Sequence, residues 1–485
     1  MSRQILNLTK QTLTYGLGNI LTRFITFLLL PLFTNILTPE EYGLATLVFV
    51  FLGFMNIIYH YGMDSAFLRS FGDAKDENTK RRLFSTAIWL SLGTGFTFSL
   101  LIYTFSGSLS SLLLKNTQYV NLFQLAAGIL LFDAVAHVPF ALLRMKEKAI
   151  TFIIIKLINV VTTLGLNIYL IAIVKTGISG IFLSAFIASV ITAIIVYSVT
   201  ISSLRFNFSL ILVKDYLKFG LPFVPAGLAS IMMETIDRYI IEHLKDTATV
   251  GLYSAGYKLG IFMLLITTAF NYAWQPFFLR IGNTKEAKPL FSRIFTYYIL
   301  GTLFVWITFS AFIHEIIRFK FFGFSILGPS FYNSEIIIPV LLLAYIFQGV
   351  YLNFMPGIYF EKKTHYIPLL TFSGALVNIG LNFVLIPLLG IMGAAVATLV
   401  GYVVMALLTF PISQKLFRIH YEWWRIIKVI FSACVATTFI IILGPFILVK
   451  LLGIVIFIVI IFIINTLTNN EKSAIKKFLN KIQNK

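Results

Sequence analysis

GLNIYLIAIVKTGISG, residues 165–180, matches GLNFVLIPLLGIMG, residues 380–393: both carry G-L-N, then L-I, then G-I-x-G. A looser match joins YGL (15–17) and EYGL (41–44) to FGL (219–221) and VGLY (250–253). The copies lie about 204 to 215 residues apart, so the chain reads as a doubled unit. Gly and Leu are frequent in membrane helices, and chance is the competing explanation of such matches.

The composition says what is doubled. Of the 485 residues 58% are hydrophobic and only 12% charged, against roughly 25% charged in soluble domains. About 20 apolar residues cross a hydrocarbon core, and runs of that length recur with short polar breaks. The expected spans are fourteen: 12–36, 42–66, 83–105, 119–143, 150–174, 178–201, 216–241, 250–277, 291–315, 335–360, 366–388, 391–413, 424–447 and 449–467. The first lacks a short apolar region with a small-residue cleavage site, so it reads as a permanent helix. Six spans separate the matched segments, and an even number makes the copies parallel, related by an axis along the membrane normal.

The expected fold is therefore an all-α polytopic membrane protein. Its parts are an N-terminal six-helix bundle (1–205), a C-terminal six-helix bundle (206–418), an extra pair of helices (419–467) and a cytoplasmic tail (468–485). In that tail Ile475, Phe478, Leu479 and Ile482 alternate with lysines at helical spacing, the pattern of an amphipathic helix on an anionic leaflet or of a plain solvated tail.

The formal net charge is +19, which could suggest nucleic acid, but its distribution points elsewhere. With the N-terminus inside, six Lys and Arg fall on external loops (Lys115, Lys175, Lys245, Arg318, Lys320, Lys450) and three within spans (Arg23, Arg238, Lys258); the rest of the 38 are assigned to cytoplasmic segments. This asymmetry is the positive-inside rule, and it places both termini in the cytoplasm and needs no nucleic acid. The single Cys434 excludes an intrachain disulfide and a Cys-rich metal site. No cofactor or metal is expected. The external stretch from Ala311 to Glu335 is rich in Phe and offers no paired catalytic carboxylates, which argues against a glycan polymerase or O-acyltransferase.

Charges inside spans are costly and mark functional sites by default. Arg23 falls near the middle of the first span, on a stripe with Thr12, Tyr15, Asn19 and Thr26. The seventh span carries a counterpart in Gly227, Ser230, Glu234, Asp237 and Arg238, so the two stripes are expected to line one central cavity. Lys258 lies about 12 Å from the outer edge of the eighth span, and Arg23 about 16 Å from the inner edge of the first, at 1.5 Å per residue. An interior arginine and lysine suit a phosphate or pyrophosphate. Asp133 with His137, and His60 with Asp64, sit at i, i+4 and are candidates for a proton or cation relay. Alternatives stand beside these readings: Arg238 in an ion pair with Asp237 or Glu234, Asp64 at the interface, and His137 bonded to Asp133 only to join helices. Pro31, Pro139, Pro222, Pro225, Pro276, Pro339, Pro356 and Pro387 permit kinks and hence gating.

The opening LTKQTLTYGLGNILTRFITFLLLPLFTNILTPEEYG (8–43), DRYIIEHL and VGLYSAGYKLG (237–260), AWQPF (273–277) and the G-L-N repeats resemble the polysaccharide-biosynthesis flippases of the multidrug, oligosaccharidyl-lipid and polysaccharide exporter superfamily. The resemblance implies two six-helix bundles working by alternating access. It also implies translocation of an undecaprenyl-pyrophosphate-linked oligosaccharide across the bacterial cytoplasmic membrane, ahead of a polymerase or ligase. Arg23 and Lys258 match, in position, cationic cavity residues on the first and eighth helices of related lipid II flippases. The coupling ion varies in the superfamily. The expectation is a lipid-linked oligosaccharide flippase binding through Arg23, Asn19, Lys258 and Arg238, with Asp133, His137, Glu234, Asp237 and Asp64 as ion-coupling candidates. A cation-coupled exporter of small molecules is the rival.

Overall fold

The computed structural model describes residues 27–282, 284, 286–321, 323–464 and 466. Arg23, Asn19, the rest of the first stripe and the amphipathic tail lie outside the described residues.

The chain is almost wholly helical. In order, the helices are α1 (Phe27–Ile36), α2 (Pro39–His60), α3 (Met63–Asp73), α4 (Glu77–Thr104), α5 (Ser106–Leu114), α6 (Val120–Met145), α7 (Ala149–Asn167), α8 (Ile178–Thr200), α9 (Leu210–Gly220) and α10 (Phe223–Leu244). There follow α11 (Thr247–Ile281), α12 (Ala287–Ala311), α13 (Ile313–Arg318), α14 (Ile338–Asn353), α15 (Pro356–Phe360), α16 (Tyr366–Leu389), α17 (Ile391–Leu416), α18 (Trp423–Leu443) and α19 (Ile447–Ile463). A small antiparallel hairpin pairs β1 (Lys320–Phe321) with β2 (Phe324–Ser325), Lys320 opposite Ser325.

Among the described residues eleven helices are long and apolar enough to cross a membrane, or twelve if α9 and α10, bent by 42°, form one span. The first and fourteenth expected spans correspond to the shorter apolar helices α1 and α19. Large apolar side chains such as Leu112, Ile150 and Ile441 stand about three-quarters exposed (75%, 74% and 74%), which suits lipid and not water. The protein is a multi-pass membrane protein.

Start signals agree with the helices observed. Pro39 occupies the first turn of α2, and Thr38 and Glu41 close a reciprocal capping box. Asp76 caps α4 by accepting from the Thr79 amide at 2.8 Å, and these hydrogen bonds hold its exposed carboxyl below the usual range.

The two G-L-N motifs take matching local structures. Asn167 and Asn382, from the two G-L-N motifs, are both buried. Each amide donates to the carbonyl four residues earlier, Thr163 at 2.7 Å and Asn378 at 2.9 Å. Gly177 and Gly390 both take positive φ, 60° and 58°, just before α8 and α17, a conformation only glycine adopts cheaply. The first copy carries two more residues between Asn and this glycine than the second. There α7 widens into a π-helical turn over Ile168–Ile173, the usual way a helix absorbs an insertion.

The chain divides into two compact units. The first comprises residues 1–258, 320–334 and 375–397, and the second residues 259–319, 335–374 and 398–485. In the first, Phe67, Phe84, Leu142 and Tyr216 pack α3, α4, α6 and α9 together, and the Tyr216 hydroxyl donates to the Leu83 carbonyl at 3.0 Å. The β hairpin docks on the end of α1: Asn35 Nδ2 donates to the Ser325 carbonyl at 2.7 Å, and the Gly328 amide donates to Thr34 Oγ1 at 2.9 Å.

In the second unit Lys450 is buried within α19 and is not on an external loop as the sequence suggested; its Nζ donates to both Glu315 carboxylate oxygens, at 2.6 and 2.8 Å. Desolvation raises the Glu315 carboxyl, but the Lys450 hydrogen bonds outweigh it and leave it below its ordinary value. Arg318 holds Glu335 at 2.8 Å. Both carboxylates of the 311–335 stretch are thus engaged by basic partners.

Candidate functional site

Among the described residues, the ionisable side chains marked by the sequence fall in three places, all within the first unit. At the first, α2 ends at His60 because Tyr61 (φ 30°) and Gly62 (φ 71°) are left-handed. The break is made by close backbone approach: a Cβ on Gly62 would lie 2.4 Å from the Gly220 carbonyl oxygen at the end of α9. His60 and Asp64 therefore stand on either side of a helix break and not on one continuous face.

Asp64 turns toward α6. His137 Nε2 lies against its Oδ1, and Arg144 Nη2 donates to its Oδ2 at 2.7 Å. The His60 and His137 rings stack, with centroids 3.7 Å apart and planes 17° from parallel. Asp133 instead accepts from Ser189 Oγ of α8 at 2.7 Å. Neither expected i, i+4 pair is hydrogen-bonded: helical spacing makes such residues neighbours, but each found a better partner on another helix. Lys156 lies well inside α7, its Nζ 4.4 Å from the centre of the Phe140 ring, and Asp133 and Asp64 act on it electrostatically. Lys156 therefore belongs with the charges inside spans and not with the cytoplasmic basic residues, as its place within the expected 150–174 span signals.

Pro139 sits two residues beyond His137 and cannot donate to the carbonyl of Val135. The Tyr197 hydroxyl of α8 fills that role at 3.2 Å. Tyr197→Phe is expected to orphan this buried carbonyl and cost about 1–3 kcal/mol, read as a lower thermal unfolding midpoint in detergent. An unchanged midpoint would show that the carbonyl finds another donor.

The second place is on α10 and α11. Asp237 and Arg238 are both buried, 1% and 6% exposed. Arg238 Nη1 donates to Asp237 Oδ1 at 2.5 Å and to the main-chain carbonyl of Glu234, while Tyr253 Oη donates to Asp237 Oδ2 at 2.5 Å. The guanidinium lies over the Tyr257 ring at 3.8 Å. The arginine is thus held on its acid, a carbonyl and an aromatic face.

The third is Lys258. Its Nζ lies 5.3 Å from the centre of the Tyr42 ring and 5.7 Å from that of Phe33. Among the described residues no carboxylate comes within 4.0 Å of it. A half-buried ammonium beside aromatic faces is suited to an incoming anion.

Comparison with known proteins places the chain. The family of polysaccharide biosynthesis proteins matches residues 32–323. The chain belongs to that family. Its fold is that of a lipid II flippase, MurJ, solved in an inward closed conformation, with a TM-score of 0.74 at 17% identity over 93% of this chain and 98% of the other. It is shared also with an inward-facing multidrug resistance MATE transporter of the MOP superfamily, TM-score 0.62 at 15% identity over 84% and 94%. A Vibrio cholerae MATE transporter superposes with a TM-score of 0.55 at 13% identity over 85% and 96%. No curated protein matches in sequence.

Proposed function

We propose that the protein is a flippase that carries a polyprenyl-pyrophosphate-linked oligosaccharide from the inner to the outer leaflet of the bacterial cytoplasmic membrane, by alternating access, for surface polysaccharide such as O-antigen, capsule or exopolysaccharide. The observation that carries this reading is the polysaccharide-biosynthesis match over residues 32–323 on a fold shared along nearly its whole length with a lipid II flippase. Lys258, without a carboxylate partner among the described residues, suits the pyrophosphate; Arg23 and Asn19 on the first span join it in this reading, with Arg238 nearby in sequence on the seventh. Both termini lie in the cytoplasm, and a polysaccharide polymerase or ligase receives the product.

The test is leaflet accessibility of a fluorescent polyprenyl-pyrophosphate oligosaccharide in proteoliposomes of wild type, Arg23→Ala and Lys258→Ala. Wild type is expected to move it, and each variant to slow it about tenfold or more, the order expected when a charge-assisted contact of roughly 1.5–3 kcal/mol is lost. Arg23→Lys keeps the charge without the planar fork and is expected to fall between. The likeness to MATE transporters favours a second reading, a cation-coupled small-molecule exporter. Folded wild type that leaves the glycan lipid in place but exports a cationic dye would establish that one instead.

A further inference from the structure

The cluster around His60 and His137 is charge-balanced before its histidines are counted. Asp64 faces Arg144 and Asp133 shares the cluster with Lys156, so two acids formally stand against two bases. The two imidazoles lie face to face at 3.7 Å, where two positive rings would repel strongly in an apolar surround. One proton fits and a second does not. That proton has a counter-ion in place, because Asp64 keeps Arg144 on Oδ2 and offers Oδ1 to His137. His60 Nε2 is buried with no hydrogen-bond partner, leaving a free nitrogen in the stack.

The other elements packed here add little charge. In α4 the charged residues are confined to its start, Glu77 to Arg82, and α5 has none. α8 contributes the Ser189 and Tyr197 hydroxyls. α9, packed on α3, carries Lys214, Asp215 and Lys218; α10, packed on α2, carries Glu234, the closed Asp237–Arg238 pair and, at its end, Glu242, paired with Lys115, and His243. Among the described residues no group of three or more His, Cys, Asp and Glu is arranged to hold a metal ion. His137 and Asp64 remain 27% and 23% exposed, so neither side chain is sealed within the bundle. The site also touches two irregular points of the backbone, the left-handed Tyr61–Gly62 pair between α2 and α3 and Pro139 within α6.

We propose that the stacked His60–His137 pair, clamped to Asp64, is a single-proton site that couples a proton gradient to the transport cycle. Proton binding rests on this geometry alone; its use in transport rests on the flippase reading above. The site belongs to neither the Lys258 nor the Arg238 grouping.

The test uses the full-length protein in lipid nanodiscs with isotope-labelled histidine, titrated between about pH 5 and 8, the range in which imidazole changes charge. The His60 and His137 signals are expected to shift together in one step that accounts for a single proton. Asp64→Asn should move that step to lower pH, since it removes the anion that favours the charged ring. In proteoliposomes an imposed pH gradient should change the flipping rate of wild type but not of His137→Gln. His60→Gln is the second variant, because His60 Nε2 makes no hydrogen bond whose loss would unfold the protein. Histidine signals that stay constant across the range, or variants that keep the wild-type response to the gradient, would overturn the proposal. A single titration step without glycan movement would uphold the proton site and remove the flippase reading.

Discussion

Gly251→Val is expected to abolish the folded protein, and Gly251→Ala to lower its thermal unfolding midpoint sharply. Gly251 on α11 and Gly43 on α2 lie at a crossing where backbone meets backbone. A Cβ on Gly251 would stand 1.9 Å from the Pro39 carbonyl oxygen, and one on Gly43 2.0 Å from that of Thr247. Side-chain carbons do not approach oxygens so closely, so the helices must part by about an ångström. Overpacking in a tight core costs about 1–3 kcal/mol even where flexible side chains can yield, and here only backbone is available to move. Membrane helices depend on such small-residue crossings because lipid tails offer little hydrophobic drive for association. Gly301→Ala on α12 is the control: nothing lies within 4 Å of its added methyl, and a gain of about 0.5–1 kcal/mol is expected from the lower flexibility of alanine. Fluorescence-detected size exclusion after a temperature series reads all three. A Gly251→Ala protein that survives to the wild-type temperature would show that the crossing is looser than the distances state.

That contact also shows what the chain discloses of itself. Gly43 and Gly251 belong to EYGL and VGLY, the loosest of the repeat matches, and in the structure the two motifs touch. Class, helix order and the likeness of the two G-L-N motifs were legible because they rest on composition, 3.6-residue periodicity and local glycine chemistry, all carried by neighbouring residues. The G-L-N asparagines and the glycines at 177 and 390 behave alike because each acts within its own helix or turn.

What depends on distant neighbours was hidden. The apolar run of residues 42–66 reads as one helix, yet it breaks at a left-handed tyrosine because Gly220 presses against the next residue. The i, i+4 rule pairs residues only along one helix. Asp64 is held by Arg144, 80 positions away, and Asp133 by Ser189, 56 positions away, partners that spacing along one helix does not disclose. Lys450 was misplaced for a related reason: near the end of an expected span, a one-turn boundary error moves a charge between loop and core. Arg23 and Asn19 lie outside the described residues.

Arg238 admits two readings from sequence, an ion pair or a substrate contact, and a paired substitution separates them. Arg238→Ala is expected to destabilise the protein by roughly 3–5 kcal/mol, because it strands the Asp237 carboxylate, 1% exposed, with the Tyr253 hydroxyl as its remaining hydrogen bond. The lost contact of the guanidinium with the Tyr257 ring adds to this. Asp237→Asn with Arg238→Met removes both charges and fills the space, and exchanges of this kind are often close to neutral. The double variant should therefore regain most of the stability the single one loses, a coupling that only a double-mutant cycle isolates. If a large loss in the single variant is absent, the pair is not the closed unit its distances describe. Given the loss, glycan movement in the double variant decides the role: stability and transport restored together make the pair a fastener between α10 and α11. Stability without transport makes Arg238 a ligand for the pyrophosphate, parked on Asp237 until the substrate arrives.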